Sequence, residues 1–167
     1  MGLSEDLDRI GLQERELQLP RLDAKAAWEL GSRIRELALA RNLKVVIDVR
    51  RFGQPLFYAA LDGTTPDNPE WVRRKSNVVA RFHRSSYAVG LNQKSTGTTL
   101  FERQGLPVVD YAADGGSFPL SVAGAGVVGS VTVSGLPQRD DHNLVIEALC
   151  AILGRDYAKL RLEPETA

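Results

Sequence analysis

The densest set of side chains able to do chemistry lies between Trp71 and Tyr87, where the chain reads Trp-Val-Arg-Arg-Lys-Ser-Asn-Val-Val-Ala-Arg-Phe-His-Arg-Ser-Ser-Tyr. This run carries five Lys or Arg, with the single acidic Glu70 at its edge. Guanidinium and ammonium groups donate charge-assisted hydrogen bonds to carboxylates and phosphates. On a helix, Trp71, Val78 and Phe82 form an apolar stripe, while Arg73, Asn77, Arg81 and Arg84 fall on one side at steps of four and three. An anionic group is therefore expected to bind near Arg74, Lys75, Arg81, His83 and Tyr87, with Gly115 and Gly116 offering backbone amides. The competing reading is a solvated helix face, or cations that pair with acidic groups of a neighbouring subunit or an acidic protein surface.

The remaining reactive residues are sparse. His83 and His142 are the two histidines of the chain. Either can act as a general base or metal ligand, but they stand far apart and neither shows a metal-ligand spacing. A helix-face or capping role explains each as well. Asp140 and Asp141, beside His142, suit the positive end of a helix. With His142 they also form a possible cation site. Asp48 lies mid-strand on the face shared with Val46. A half-buried carboxylate needs a partner, for which Arg50 or the basic helix is the candidate. Cys150, the one cysteine, sits among apolar residues and reads as a buried, inert thiol.

Gly124-Ala125-Gly126-Val127-Val128-Gly129 matches a dinucleotide-binding pattern in letters only. That pattern must open a helix, and here Ser130-Val131-Thr132-Val133-Ser134 follows, which is strand sequence. A turn and close backbone approach explain these glycines better. No Ser-His-Asp arrangement, phosphate-binding loop, zinc spacing or Cys-x-x-Cys-His heme attachment is present.

These residues must be positioned by ordered elements. Leu7, Ile10, Leu12 and Leu17 among charges predict a short amphipathic helix over 4–17, with Ser4 as cap and Pro20 as stop. Asp23 caps a second helix to about Arg41. Lys44–Val49 alternates, with Val45, Ile47 and Val49 on one face, and Pro55–Leu61 is its hairpin partner. Asn68 and Pro69 start a helix that runs to about Arg84. Short helices are expected near Tyr87–Gln93 and Thr99–Gln104, with Gly105 and Pro107 as stops. Gly116–Val122 and Gly126–Ser134 are strands joined at Ala123-Gly124-Ala125. A last helix spans about Arg139 to Leu153, and the tail from Glu163 to Ala167 frays. Hairpin-joined strands with helices packed on them imply an α+β class.

Composition sets the outer limits. The chain has 167 residues, enough for one domain over 1–167 with a core that needs no disulfide or metal. Lys plus Arg and Asp plus Glu are 21 each. Zero net charge gives no global attraction to nucleic acid or to acidic membranes. A lone cysteine and an N-terminus without a basic, apolar signal pattern suit a cytoplasmic protein. From Gly115 to Gln138 no residue is charged, yet six glycines, two prolines and four serines exclude a membrane span. Such a stretch is hidden from water in a sheet or an interface, so a homo-oligomer, at least a dimer, is expected.

Three segments carry a family resemblance: Gly115-Gly116-Ser117-Phe118-Pro119-Leu120, then Gly126 to Gly135, then Asp140-Asp141-His142 opening the last helix. A Gly-Gly-x-x-Pro strand, a Gly-rich strand ending in Ser-Gly and an acidic helix start resemble the heme-degrading-domain family, the GlcG- and HbpS-like proteins. Pro55-Leu56-Phe57-Tyr58, Gly63-Thr64-Thr65-Pro66-Asp67-Asn68, Arg74-Lys75 with Asn77-Val78-Val79, and Phe82-His83-Arg84-Ser85-Ser86-Tyr87 resemble one poorly characterised bacterial and fungal branch of it. The likeness covers about residues 4–155. It implies a profilin-like three-layer α/β/α fold with a central antiparallel sheet, and symmetric oligomers. Some relatives bind or degrade heme, or sense redox state with it. Heme needs an axial His, Cys, Met or Tyr and donors for its propionates; His83, Tyr87 and the neighbouring arginines are residues of that type. The functional expectation is an oligomeric small-ligand-binding protein, its ligand heme or another anion. The alternatives are a non-catalytic interaction or scaffold protein, and an enzyme using Asp48, His83 and the arginines on an anionic substrate.

Overall fold

The computed structural model describes residues 2–165, so the last two residues of the tail expected to fray lie outside the described residues. Two helices come first, α1 (Leu3–Glu16) and α2 (Ala24–Ala40), followed by the hairpin β1 (Val46–Arg51) and β2 (Gln54–Ala60). Three helices follow, α3 (Asp67–Phe82), α4 (Ser86–Thr96) and α5 (Leu100–Gln104). A second hairpin, β3 (Ser117–Val122) and β4 (Gly126–Ser134), precedes α6 (Gln138–Leu153) and the short α7 (Tyr157–Leu160). The sheet order is β2-β1-β4-β3, and every neighbouring pair is antiparallel. This is the expected α+β architecture. The β3 edge is capped by Leu19, which forms a bridge to Val122, whereas β2 forms the other edge.

The two faces of the sheet differ in chemistry. On one face Val45, Ile47, Val49, Phe57, Phe118, Leu120, Val131 and Val133 meet α2 and α6 in the main apolar core. Gly31 lets α2 lie close to β2, since a Cβ there would meet the Phe57 ring at 2.2 Å. The other face is covered by α3 and is largely polar. Asp48, Ser117, Ser130, Thr132 and Ser134 are all buried on it. Asp48, expected to be half-buried, is fully so. Its partner is Arg50, bound through Nε to Oδ1 at 2.6 Å and through a terminal nitrogen to Oδ2 at 2.8 Å. The row continues across the sheet with a hydroxyl–hydroxyl bond of 2.8 Å between Ser117 and Thr132.

Several boundaries differ from expectation for local reasons. Gly2 rather than Ser4 caps α1, and its amide donates to Glu5. Helix α3 begins at Asp67, and Asn68 instead accepts the Thr65 amide within the preceding turn. That helix stops at Phe82 because His83 adopts a left-handed conformation with φ 55°. Asp23 caps α2 as expected, accepting from the Ala26 amide at 2.8 Å. The hairpin turn at Phe52 and Gly53 has positive φ at both residues, the geometry that matches strand twist in a two-residue loop.

Candidate functional site

Helix α3 presents Val72, Lys75, Ser76 and Val79 to the sheet, so a lysine sits in a row that is otherwise small or apolar. Lys75 is 3% exposed. Its ammonium donates to the Asp141 carboxylate at 3.1 Å and to the Val133 carbonyl at 3.3 Å. Asp141 comes from the first turn of α6 and also accepts the amides of Leu136 at 2.9 Å and Gly135 at 3.4 Å. It thus ties the β4–α6 turn to α3. Burial pushes the Asp141 carboxyl up to about 6, against the opposing pull of Lys75 and the two amides. In sequence the early α6 position reads as helix-end complementarity or, with His142, as a cation site; the structure makes Asp141 a buried counterion of Lys75.

The pair lies at the inner end of a cleft of about 260 Å³. Asp67, Asn68 and Trp71 of α3 form one wall, and Asp114, Ser134, Gly135, Leu136 and Gln138 the other. Two glycines make the arrangement possible. A Cβ on Gly116, whose φ is +133°, would lie 2.4 Å from the Val133 carbonyl and 2.8 Å from the Lys75 ammonium. A Cβ on Gly135 would lie 2.1 Å from the Lys44 carbonyl.

The residues expected to bind an anion fall into four places. Lys75, Gly115 and Gly116 come together at the cleft, but the Gly115 amide is held by the Gln138 side chain at 2.9 Å. Arg74 stacks on Trp71, 4.7 Å from the ring centre, and donates to the Val108 carbonyl. With Arg73, which bonds Asp110 and the Val109 carbonyl, it clamps the 107–112 segment onto α3. Arg81 and His83 lie at the other end of α3, where His83 is exposed and stacks on Phe52 at 5.9 Å. Tyr87 is buried in a side cluster, beside the His142 ring at 5.4 Å and with Arg139 5.7 Å from its own ring.

His142 is fully buried and bonds Gln13 through Nε2 at 2.8 Å. Because the Gln13 amide nitrogen donates to the Leu160 carbonyl, its oxygen faces the ring, so Nε2 carries the proton and Nδ1 is the free lone pair. Burial lowers His142 to about 3. Cys150 is buried, and desolvation raises its thiol to about 11, which suits an inert side chain. Among the described residues no group of three or more His, Cys, Asp or Glu is placed to hold a metal ion. No helix there is long and apolar enough to cross a membrane.

The same geometry tests the heme expectation. A cleft of about 530 Å³ between α1, α4, α5 and the end of α3 has room and carries Arg84 and Arg103, but no His, Cys, Met or Tyr lines it. His142 is enclosed and already bonded. His83 stands on an open surface. Tyr87 lines only a smaller cleft of about 220 Å³, so none of these three candidate ligands is joined to the roomier cleft as a heme site requires.

Asp67, Asp114 and Gln138 are not among the expected site residues, and in sequence Asp141 reads as a helix-end or cation-site residue rather than as the partner of Lys75. For Asp141 a signal was present: it precedes Val145 by four positions and Ala148 by seven, so it shares their buried face, while Asp140 does not.

Comparison with known proteins agrees with the fold. The chain is 64% identical over 162 residues to a UPF0303 protein of Burkholderia thailandensis, covering 97% of this chain and 98% of the relative. It is 61% identical over 162 residues to a UPF0303 protein of Burkholderia mallei, with the same coverage. Among solved structures, the Ybr137w protein superposes with a TM-score of 0.81 at 26% identity, covering 89% of this chain and 88% of that one. A PduOC:heme complex superposes at 0.67 and 15% identity, over 78% and 94% of the two chains. HbpS superposes at 0.63 and 22% identity, over 83% and 94%. A family model described as haem degrading protein HbpS-like matches residues 22–150, and the chain belongs to that family.

Proposed function

We propose that this protein is an oligomeric small-ligand-binding domain whose ligand presents an anionic group to Lys75 in the cleft between α3 and α6. The observation that carries the reading is a buried ammonium at the inner end of an open cleft. Desolvating a lysine and a carboxylate costs several kcal/mol per ion, and apolar residues of similar volume often stabilise a core better. A buried ion pair in a cleft, with the Asp141 carboxyl raised by burial, is a recognised mark of a functional position. An ammonium has three donors, and the Val133 carbonyl and Asp141 engage two of them. A ligand carboxylate or phosphate takes the third. The likeness to PduOC, solved as a heme complex, adds weight to small-molecule binding, but this cleft is too small for a macrocycle and favours a smaller anion.

Calorimetric titration with a panel of small carboxylates and inorganic phosphate tests the reading. The double variant Lys75→Met, Asp141→Asn removes both charges without leaving an unpaired buried ion. It is expected to lose saturable binding at least tenfold, the effect of losing a charge-assisted hydrogen bond of about 1.5–3 kcal/mol, while its mass by light scattering is unchanged. Unchanged affinity, or dissociation of the oligomer, overturns the assignment. A saturable Soret band on hemin titration that disappears in His83→Ala would move the site to the far end of α3.

A further inference from the structure

The charge of the cleft is uneven from end to end. Its inner end holds the neutralised Lys75–Asp141 pair, and its mouth carries two exposed carboxylates, Asp67 and Asp114. No other charged side chain lines it among the described residues. Arg74, the nearest cation in sequence, is committed to the Val108 carbonyl and the Trp71 ring. Asp67 is partly used, since Oδ2 accepts the Trp71 indole N–H at 3.1 Å. Asp114 makes no side-chain hydrogen bond or ion pair among the described contacts.

A simple anion entering this cleft must pass and then sit near two uncompensated carboxylates. A simple cation meets them favourably but leaves the third Lys75 donor without an acceptor and brings a like charge toward the ammonium. A molecule with both charges satisfies both ends. We propose that the cleft selects small zwitterions of the amino-acid class, with the carboxylate on Lys75 at the inner end and the ammonium between Asp67 and Asp114 at the mouth. This rests on the reading of the cleft as the ligand site. Size agrees: about 260 Å³ is below the usual range for drug-sized ligands, roughly 300–1,000 Å³, and suits a molecule smaller than a nucleotide.

The test is isothermal calorimetry on the full chain with a panel of free amino acids, followed by the N-acetyl and carboxamide derivatives of the best binder. The first derivative keeps the carboxylate and loses the ammonium; the second does the reverse. Asp114→Asn is the companion variant, because the exposed side chain holds no structural contact and its loss leaves the fold intact. The expected result is saturable binding of the free amino acid, with both derivatives at least tenfold weaker. Asp114→Asn should weaken the amino acid about tenfold, as for loss of one charged hydrogen-bond partner, and leave the N-acetyl derivative no weaker. An N-acetyl derivative that binds as tightly as the amino acid overturns the zwitterion and leaves the anion reading standing. A carboxamide that binds as tightly overturns both, since the cleft is then a cation site. No saturable heat from any member of the panel also overturns the zwitterion, and the carboxylate and phosphate titrations then decide the anion reading separately.

Discussion

Two buried titratable residues, His142 and Asp141, stand next to each other on α6 with opposite consequences for stability. Desolvation holds His142 at about 3 in the folded chain against 6.5 normally. Between those values the unfolded chain binds a proton that the folded one does not, so stability falls as pH falls. Asp141 is raised to about 6 from 3.8. Across that window the folded chain holds the extra proton, so stability rises as pH falls. Between about pH 4 and 6 the two slopes oppose each other, each roughly 1.4 kcal/mol per pH unit. His142→Gln removes one of them. Relative to the unmodified protein, the variant is expected to gain roughly 3 kcal/mol on going from pH 6 to pH 4, read from urea denaturation at each pH. A difference that stays constant over that range would mean that His142 is protonated in the folded state.

At the scale of elements, the cleft exists because α3 lies over a polar sheet face and closely approaches β3 and β4. Gly116 is the contact that allows it. Both its φ of +133° and the 2.4 Å approach of a Cβ to the Val133 carbonyl forbid a side chain. Gly124, in the β3–β4 turn, has φ +81° but open space around it. Gly116→Ala combines backbone strain with overpacking and is expected to cost roughly 2–4 kcal/mol. Gly124→Ala carries backbone strain alone, about 1–2 kcal/mol. Equal losses in denaturant titrations would refute the close approach of Gly116 to the Lys75 ammonium. Two arginines of α3 also hold a neighbouring segment. Arg73 and Arg74 accept the task of pinning the 107–112 carbonyls, and this fixes the segment that delivers Asp114, Gly115 and Gly116.

For the whole molecule, the two sheet edges are treated differently. Leu19 caps β3, while β2 pairs only with β1 and carries Pro55, a residue that blunts edge pairing by removing a donor. Large apolar side chains remain in water on several elements, among them Trp28 at 64% and Leu39 at 53% on α2, and Val108 and Val109 at 67% and 69% on the clamped segment. Apolar surface of this kind marks contact regions. A homo-oligomer closed through helix and loop faces rather than through β2 is the expected assembly. Light scattering at micromolar concentration should return at least twice the chain mass, and a monomer would defeat the expectation.

Local chemistry was enough to determine much of this protein. Period-2 alternation of Val45, Ile47 and Val49, the Asp23 cap, and the glycine stops at Gly105 and Gly154 each act within a few residues, so the helices, hairpins and α+β class were legible in the chain. Asp48 with Arg50, two positions apart, was legible for the same reason. The cleft was not. Lys75 and Asp141 are 66 positions apart, and no periodicity links them. On the helix alone Lys75 lies close to the apolar stripe, which suggests partial shielding of its ammonium, but only the packing of α3 on β4 buried it and set Arg74 against the 107–112 segment. Arg81 and His83 were neighbours of Lys75 in sequence, but the rise of the helix carried them to its opposite end. Tertiary structure decided which charges share a solvent-poor space, because that depends on which surfaces of distant elements meet.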